Sequence, residues 1–197
     1  LQSNAVKYRM GVSNVTNGGV TGSASGDYFA RTAGGKMMFS TNDGVTAHAV
    51  IDSSGRVTKP YQPAFSVKPA GVQSNIAVNA QVQIIWGTET FDIGSNFASN
   101  VFTAPVSGKY QFNIVVGVEN LDSAATYYET VLITSNSSIY TTIDPDFGQD
   151  GAFWTFTTAY LEDMDAGDTA YVAIVQGGGT AQMDVRIYSH FNGYLVA

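Results

Sequence analysis

The sequence predicts an all-β protein of about ten short strands packed as two sheets, and three observations predict it. Tyr110, Phe112, Ile114, Val116 and Val118 alternate with Gln111, Asn113, Val115, Gly117 and Glu119, the period of two expected of a strand with one face in a core. Short Val, Ile, Phe, Tyr and Thr runs are separated by Gly, Asn, Ser and Asp clusters, which read as strands and turns. Between 152 and 161, Ala152, Trp154, Phe156 and Tyr160 share one parity and Phe153, Ala159 and Leu161 the other. A strand apolar on both sides needs cover on two faces, one from a facing sheet and the other from a neighbouring subunit.

Composition narrows the function classes. The chain has 197 residues, 21 of them Gly, with 12% aromatic and only 13% charged residues, against about 25% charged in ordinary soluble domains. There is no cysteine, so disulfides, thiolate metal sites and cysteine nucleophiles are excluded, and an extracellular animal origin is disfavoured. No run of about 18 apolar residues exists, so no membrane-inserted helix is expected. The first residue is Leu1 and no signal peptide is visible, which leads to the expectation of a fragment or processed product. Residues 1–62 carry six Lys and Arg against three Asp, a balance of +3, whereas the remainder has three cations against thirteen carboxylates, a balance of −10. Without a basic cluster interleaved with aromatics, nucleic acid is not an expected partner.

Residues 1–62 form a segment of their own. Asn14 to Gly26 is nearly devoid of large apolar side chains and is expected as a loop or as a segment packed between subunits. Strands follow at Tyr28–Arg31, Lys36–Ser40 and Ala47–Ile51, with Asp43-Gly44 as a hairpin signal and Ser53-Ser54-Gly55 as a turn before Arg56-Val57-Thr58. So few apolar residues cannot offset the ordering entropy of one chain. Three chains sharing a thin shaft would bury Met37, Phe39, Val50 and Ile51 together. The phrase GGKMMFSTNDGVTAHAVIDSSGRVTKP within residues 27–63 resembles the β-rich shaft segments of bacteriophage tail and side fibres, where such a phrase precedes a terminal knob.

Residues 63–197 carry a second resemblance. Phe102-Thr103-Ala104-Pro105 is followed by Gly108, Tyr110 and Phe112, and the chain ends on Phe191-Asn192-Gly193-Tyr194-Leu195. These elements, with Phe65 near the start, resemble the C1q/tumour-necrosis-factor-like jelly roll. The resemblance implies that Pro105 and Gly108 shape a turn, that Tyr110 and Phe112 enter the core, and that Phe191, Gly193 and Leu195 close it. Tyr171–Val175 and Met183, Val185 and Ile187 are further strand candidates.

Few constellations suggest chemistry. Asp144, Asp146 and Asp150 lie in Asp-Pro-Asp-Phe-Gly-Gln-Asp-Gly and offer the hard oxygen ligands a calcium ion takes. The EF-hand spacing is absent, and the competing reading is a solvated turn. Gly167-Asp168 before Tyr171 reads as a turn with Asp168 as its cap. No pair of the sixteen acidic residues is singled out as the two flanking acids of a glycosidase. His48 and His190 have no partner recognisable in the sequence, and Gly177-Gly178-Gly179 opens no helix and reads as a hairpin loop. Asn14-Val15-Thr16 and Asn136-Ser137-Ser138 fit the glycosylation pattern, which has no meaning in a protein made in bacteria.

Taken together, the two resemblances imply a phage virion appendage: a short trimeric β shaft, residues 1–62, ending in a jelly-roll knob, residues 63–197. Its partners would be two further copies of itself, other virion proteins reached through an upstream region, and a host cell-surface glycan. No enzymatic turnover and no cofactor are expected. The loops Asn120–Thr126, Asp144–Gly151 and Gln176–Thr180 would carry specificity, with Tyr127, Tyr128 and Phe147 as aromatic platforms for sugar, or else as packing residues. A purely structural virion protein, such as a head fibre or decoration protein, and a secreted C1q-like ligand are the alternatives.

Overall fold

Strand alternation becomes burial in the longest strands. The computed structural model describes residues 8–197, so the first seven residues of the 1–62 segment lie outside the described residues. The chain divides into two units, Leu1–Tyr61 and Gln62–Ala197.

The first unit holds β1 (Tyr8–Val12), β2 (Tyr28–Thr32), β3 (Met37–Phe39), β4 (Ala49–Ile51) and β5 (Val57–Thr58). β1 pairs with β2, and β3, β4 and β5 form a three-stranded meander. Strand β1 was not legible in the sequence. The Asn14–Gly26 segment is a loop organised on Ser13, whose hydroxyl donates to Val15 O and accepts from Gly19 N. Asp43 and Gly44 both have positive φ, 56° and 77°, as the two central residues of a type I′ turn require. The loop that holds them spans residues 40–48 rather than two residues, because pairing stops at Phe39 opposite Ala49. His48 belongs to this loop and not to a strand.

In the second unit are β6 (Ala64–Lys68), β7 (Gln81–Gln83), β8 (Thr88–Ile93), β9 (Phe97–Ala98), β10 (Val101–Thr103), β11 (Gly108–Leu121), β12 (Tyr127–Thr134), β13 (Ser138–Ile143), β14 (Gly151–Met164), β15 (Thr169–Gly177), β16 (Asp184–Val185) and β17 (His190–Leu195). One sheet runs β13-β12-β15-β10-β9 with β7 also on β15, the other β14-β11-β17-β6-β8 with β16 also on β11. From β10 to β15 the chain changes sheet at every step except the β12–β13 hairpin, the winding of a two-sheet jelly roll.

The core sits between the sheets. Tyr110, Phe112, Ile114, Val116 and Val118 of β11 are all buried, facing Val172 and Ile174 of β15 in one cluster. Asn120, at φ 58°, breaks the alternation, so that Leu121 turns inward beside it. Pairing of β11 with β14 extends from Gly108↔Met164 to Leu121↔Gly151. The strand pattern predicted through Ile187 ends two residues earlier: Met183 and Val185 are buried, but Ile187 is exposed in a turn, because Ser189 N donates to Arg186 O.

The signature residues converge on one aromatic cluster. Phe65 stacks on Phe97 and Phe102 at centroid distances of 5.0 and 4.8 Å and meets Phe191 edge-on at 4.9 Å. Phe112 lies 5.9 Å from both Phe102 and Phe191. Gly193 sits against these rings: a Cβ there would stand 2.6 Å from Phe112 Cδ1 and 2.8 Å from Phe65 Cε1. Gly108 is similarly confined: a Cβ there would stand 2.6 Å from Ala197 O and 2.7 Å from Leu195 Cδ1. Pro105 is exposed in the turn before it, and the buried Tyr110 donates its hydroxyl back to Val106 O across that turn at 2.8 Å.

Gly193→Ala is therefore expected to destabilise the knob by about 1–3 kcal/mol, the range for overpacking a close-packed core. Gly71→Ala, where an added Cβ meets nothing within 4 Å, should be nearly neutral. Urea midpoints of the two variants check this, and equal midpoints would show that the ring cluster yields freely.

Candidate binding surface

Three loops meet at one end of the jelly roll: the β11–β12 connection (122–126), the β13–β14 connection (144–150) and the β15–β16 connection (178–183). Two carboxylates brace them. Asp122 accepts from Ala124 N within its own loop and from Thr180 N across the gap, at 2.7 and 2.5 Å. Asp150 accepts from Ser123 N at 3.0 Å, Ser123 Oγ at 2.9 Å and Gln182 Nε2 at 3.1 Å. Gly178 N donates to Asn79 Oδ1 at 2.9 Å. Gly178 and Gly179 have φ of 70° and 71°, and a Cβ on Gly179 would stand 2.8 Å from Asp122 Oδ2, so glycine lets this loop close against the first. The three glycines do not form the expected hairpin loop: Gly177 ends β15, and the connection after it crosses to β16, which pairs with β11 in the other sheet.

Both carboxylates are held below the usual aspartate range. For Asp122 the main cause is the Ala124 amide, followed by that of Thr180. For Asp150 it is the Ser123 amide, with Gln182 next. Hydrogen bonds to a charged carboxylate favour that form.

The three aromatic candidates separate. Tyr128 is not a platform for sugar. It is fully buried, because its position in the β12 alternation faces the core. Its hydroxyl accepts from Asp122 N at 2.7 Å and donates to Asp122 O at 3.0 Å, anchoring the first loop. Burial pushes its phenol up to about 12. Tyr127 faces the opposite way, 36% exposed, with its ring 2.4 Å from where a Gly177 Cβ would be. Phe147 is 39% exposed and stacks on Trp154 with ring centroids 5.8 Å apart, so it both packs and remains accessible.

The acidic candidates do not gather as a metal site. Asp144 and Asp146 are exposed, Asp150 is turned toward Ser123 and Gln182, and no group of three or more His, Cys, Asp or Glu side chains suited to a metal ion occurs among the described residues. The three aspartates of the loop therefore act separately, the third as a brace. Asp168 caps its turn, accepting from Asp165 N and Asn136 Nδ2 at 2.9 and 3.0 Å. His48 binds Thr41 N through Nδ1 at 3.0 Å and packs edge-on against Tyr61, while His190 is exposed on β17.

Asp122 was missed as a site residue. Its sequence signal was an Asx turn, a carboxylate two residues before the amide it binds, but the cross-loop bond to Thr180 spans 58 positions and leaves no local trace. The outer side of β14 fits the two-sided pattern seen in the sequence: Phe153 and Leu161 are 62 and 49% exposed while Phe156, of the other parity, is buried. Trp154 shares the parity of Phe156 and is 39% exposed beside Phe147.

No family model and no curated protein matches the sequence. Solved structures do. The globular domain of a zebrafish complement 1qA protein is 18% identical and superposes with a TM-score of 0.51, over 69% of this chain and 98% of that one. Murine APRIL, in structures at pH 8.5 and pH 8.0, is 10% identical with TM-scores of 0.50 and 0.51, over 68% of this chain and 99% of the other. The fold is thus a C1q/tumour-necrosis-factor-like jelly roll, as the Phe102–Phe112 and Phe191–Leu195 elements implied. No described helix is long and apolar enough to cross a membrane.

The bracing carries a sign with pH. A carboxylate depressed in the folded state contributes stability that is fully present above its ordinary value of 3.8 and is lost as pH falls through the lower folded value. Amide-exchange protection at Ser123, Ala124 and Thr180 is expected to drop below about pH 3–4 while β11 stays protected. Asp122→Asn should remove the step at Ala124 and Thr180. Unchanged protection down to pH 2 would show that the carboxylates do not hold the loops.

Proposed function

We propose that this chain is the distal end of a phage appendage, in which a shared β shaft ends in a trimeric knob that attaches to a host cell-surface glycan without turning it over. One observation carries it: every buried hydrophobic side chain lies between Phe65 and Phe191, and none lies in residues 8–61. On β1 and β2, Tyr8, Met10, Val12 and Tyr28 share one face by register and are 64–73% exposed. Met38, Phe39 and Val57 of the meander are more than half exposed as well. A two-stranded ribbon without a buried face is at best marginal in water, so these strands call for cover from further copies, parallel and in register. The phage setting rests on the resemblance of residues 27–63 to fibre shafts.

The knob supports attachment rather than catalysis through its braced loops. Rigid loops on a rigid scaffold present Tyr127 and Phe147 at little ordering cost on binding, and three identical knobs multiply weak contacts. The joint belongs at Lys59–Pro63, since Gln62 Nε2 already donates to Leu195 O at 2.7 Å.

Light scattering on the chain is expected to give three times 20.9 kDa, and a monodisperse monomer at micromolar concentration would remove the shaft. A variant starting at Tyr61 should unfold cooperatively, whereas a peptide of residues 1–60 should be disordered alone. Phe147→Ala and Tyr127→Ala are expected to weaken adsorption to host cells with the trimer intact. Chelation should leave adsorption unchanged, because Asp150 is occupied as a brace. If neither variant alters adsorption, the chain is a structural virion component instead.

A further inference from the structure

The turn after β16 builds a constellation that the loop cluster does not include. Arg186 places its guanidinium carbon 4.6 Å from the Phe153 ring centroid and 5.0 Å from that of Tyr188. Its Nε stands 3.4 Å from Glu119 Oε2, which Phe153 opposes in the β11–β14 register. The two charged side chains are nearly three-quarters buried, at 29 and 28% exposure. The two rings are not: Phe153 is 62% and Tyr188 65% exposed. Large aromatic area left in solvent around a desolvated ion pair is an arrangement that core packing does not require.

Backbone geometry holds these groups in place. Arg186 N donates to Gly117 O at 2.9 Å and Ser189 N closes the turn on Arg186 O at 3.1 Å. Ser189 is fully buried. Its hydroxyl accepts from Gly117 N at 3.1 Å and donates to Gly117 O at 3.3 Å. The turn is thereby tied to the middle of β11, and Tyr188 projects from a fixed point. Cation–π contacts on two sides restrict the guanidinium further.

We propose that Arg186, Glu119, Phe153 and Tyr188 form a binding site for an uncharged pyranose of a surface glycan. A pyranose presents an apolar C–H face and a rim of hydroxyls. The exposed rings of Phe153 and Tyr188 match the face. The rim needs adjacent donors and acceptors, and a guanidinium beside a carboxylate supplies N–H donors next to acceptor oxygens, so one vicinal diol can accept from Arg186 while donating to Glu119. Charge selects against an acidic sugar. Arg186 and Glu119 neutralise each other, and the balance of −10 over residues 63–197 opposes an anionic ligand. Fixed groups bind with less entropy loss than mobile ones. The site deepens the attachment function and rests on that reading for its glycan.

Saturation-transfer NMR on the intact chain tests it, with dextran, mannan and galactan as neutral probes and alginate as the acidic one. Transfer to at least one neutral polysaccharide is expected, weakened tenfold or more by Tyr188→Ala and by Arg186→Ala, with unchanged mass in light scattering. Arg186→Lys should also lose binding, since an ammonium lacks the planar fork. Transfer to none of the neutral probes, transfer to alginate alone, or undiminished transfer in the variants overturns the site. A drop in mass in either variant overturns it too, by making the cluster a contact between copies. Whole-cell adsorption separates the levels: wild type that adsorbs while Arg186→Ala adsorbs equally well removes this site alone, and wild type that never adsorbs removes the attachment function.

Discussion

The packing of five phenylalanine rings, two of them, Phe65 and Phe112, directly against the side-chain-free Gly193, is the constraint on which the knob depends. Phe65 contacts rings from β9, β10 and β17 at 4.8–5.0 Å, and Phe112 reaches the same cluster from β11. Each aromatic pair adds about 0.5–1.5 kcal/mol beyond the area it buries, so the cluster joins β9 and β10 of one sheet to β6, β11 and β17 of the other, where no backbone pairing runs between the sheets. It closes only because position 193, in the final strand, is glycine. The last residues of the chain are consequently structural: Val196 N and Ala197 O exchange hydrogen bonds with Lys109 at 2.7 and 2.8 Å, completing the register that begins with β11.

This constraint also explains what could be read in advance. Most of the cluster was visible through a family resemblance carried by Phe65, by Phe102 and Phe112 around Pro105 and Gly108, and by the terminal Phe191 and Gly193, whereas Phe97 was not singled out. The buried face of β11 was visible because alternation is local. Both survive into the structure residue by residue. Asn120 in left-handed backbone shifts the inward side chain to Leu121, and no period-two count carries that information. Tyr128 shows the same limit for a site residue: two adjacent tyrosines at the mouth of a loop look equally available, but they alternate, and one of them lies wholly within the core.

The loops divide along similar lines. Glycine and aspartate announced turns at 144–151 and 177–179, but a cluster of aspartates in sequence does not specify what each carboxylate faces. Asp150 is drawn away from Asp144 and Asp146 by the Ser123 amide and by Gln182, partners 27 and 32 positions distant. Asp122 likewise joins loops far apart in the chain. A carboxylate that accepts backbone N–H groups satisfies donors that a loop would otherwise leave to water, and Asp122 and Asp150 do this between loops at the acidic end of the jelly roll.

The two units place stability in different locations. The knob contains its own core, and its surface is free to vary where strands turn over. The segment before Gln62 contains strands and well-formed turns, including Asp52 held low in pKa chiefly by the Arg56 amide and then its side chain, yet buries almost nothing. Turns and short pairings define a conformation but supply little free energy against chain entropy of about 1–2 kcal/mol per ordered residue. What is missing is apolar contact, and the exposed residues are of the type that makes it: Tyr8, Met10, Val12, Tyr28, Met38 and Phe39. Under the proposed association through these residues, the braced loops and the Arg186 turn would be present in several copies, which is the condition under which contacts of low individual affinity become effective.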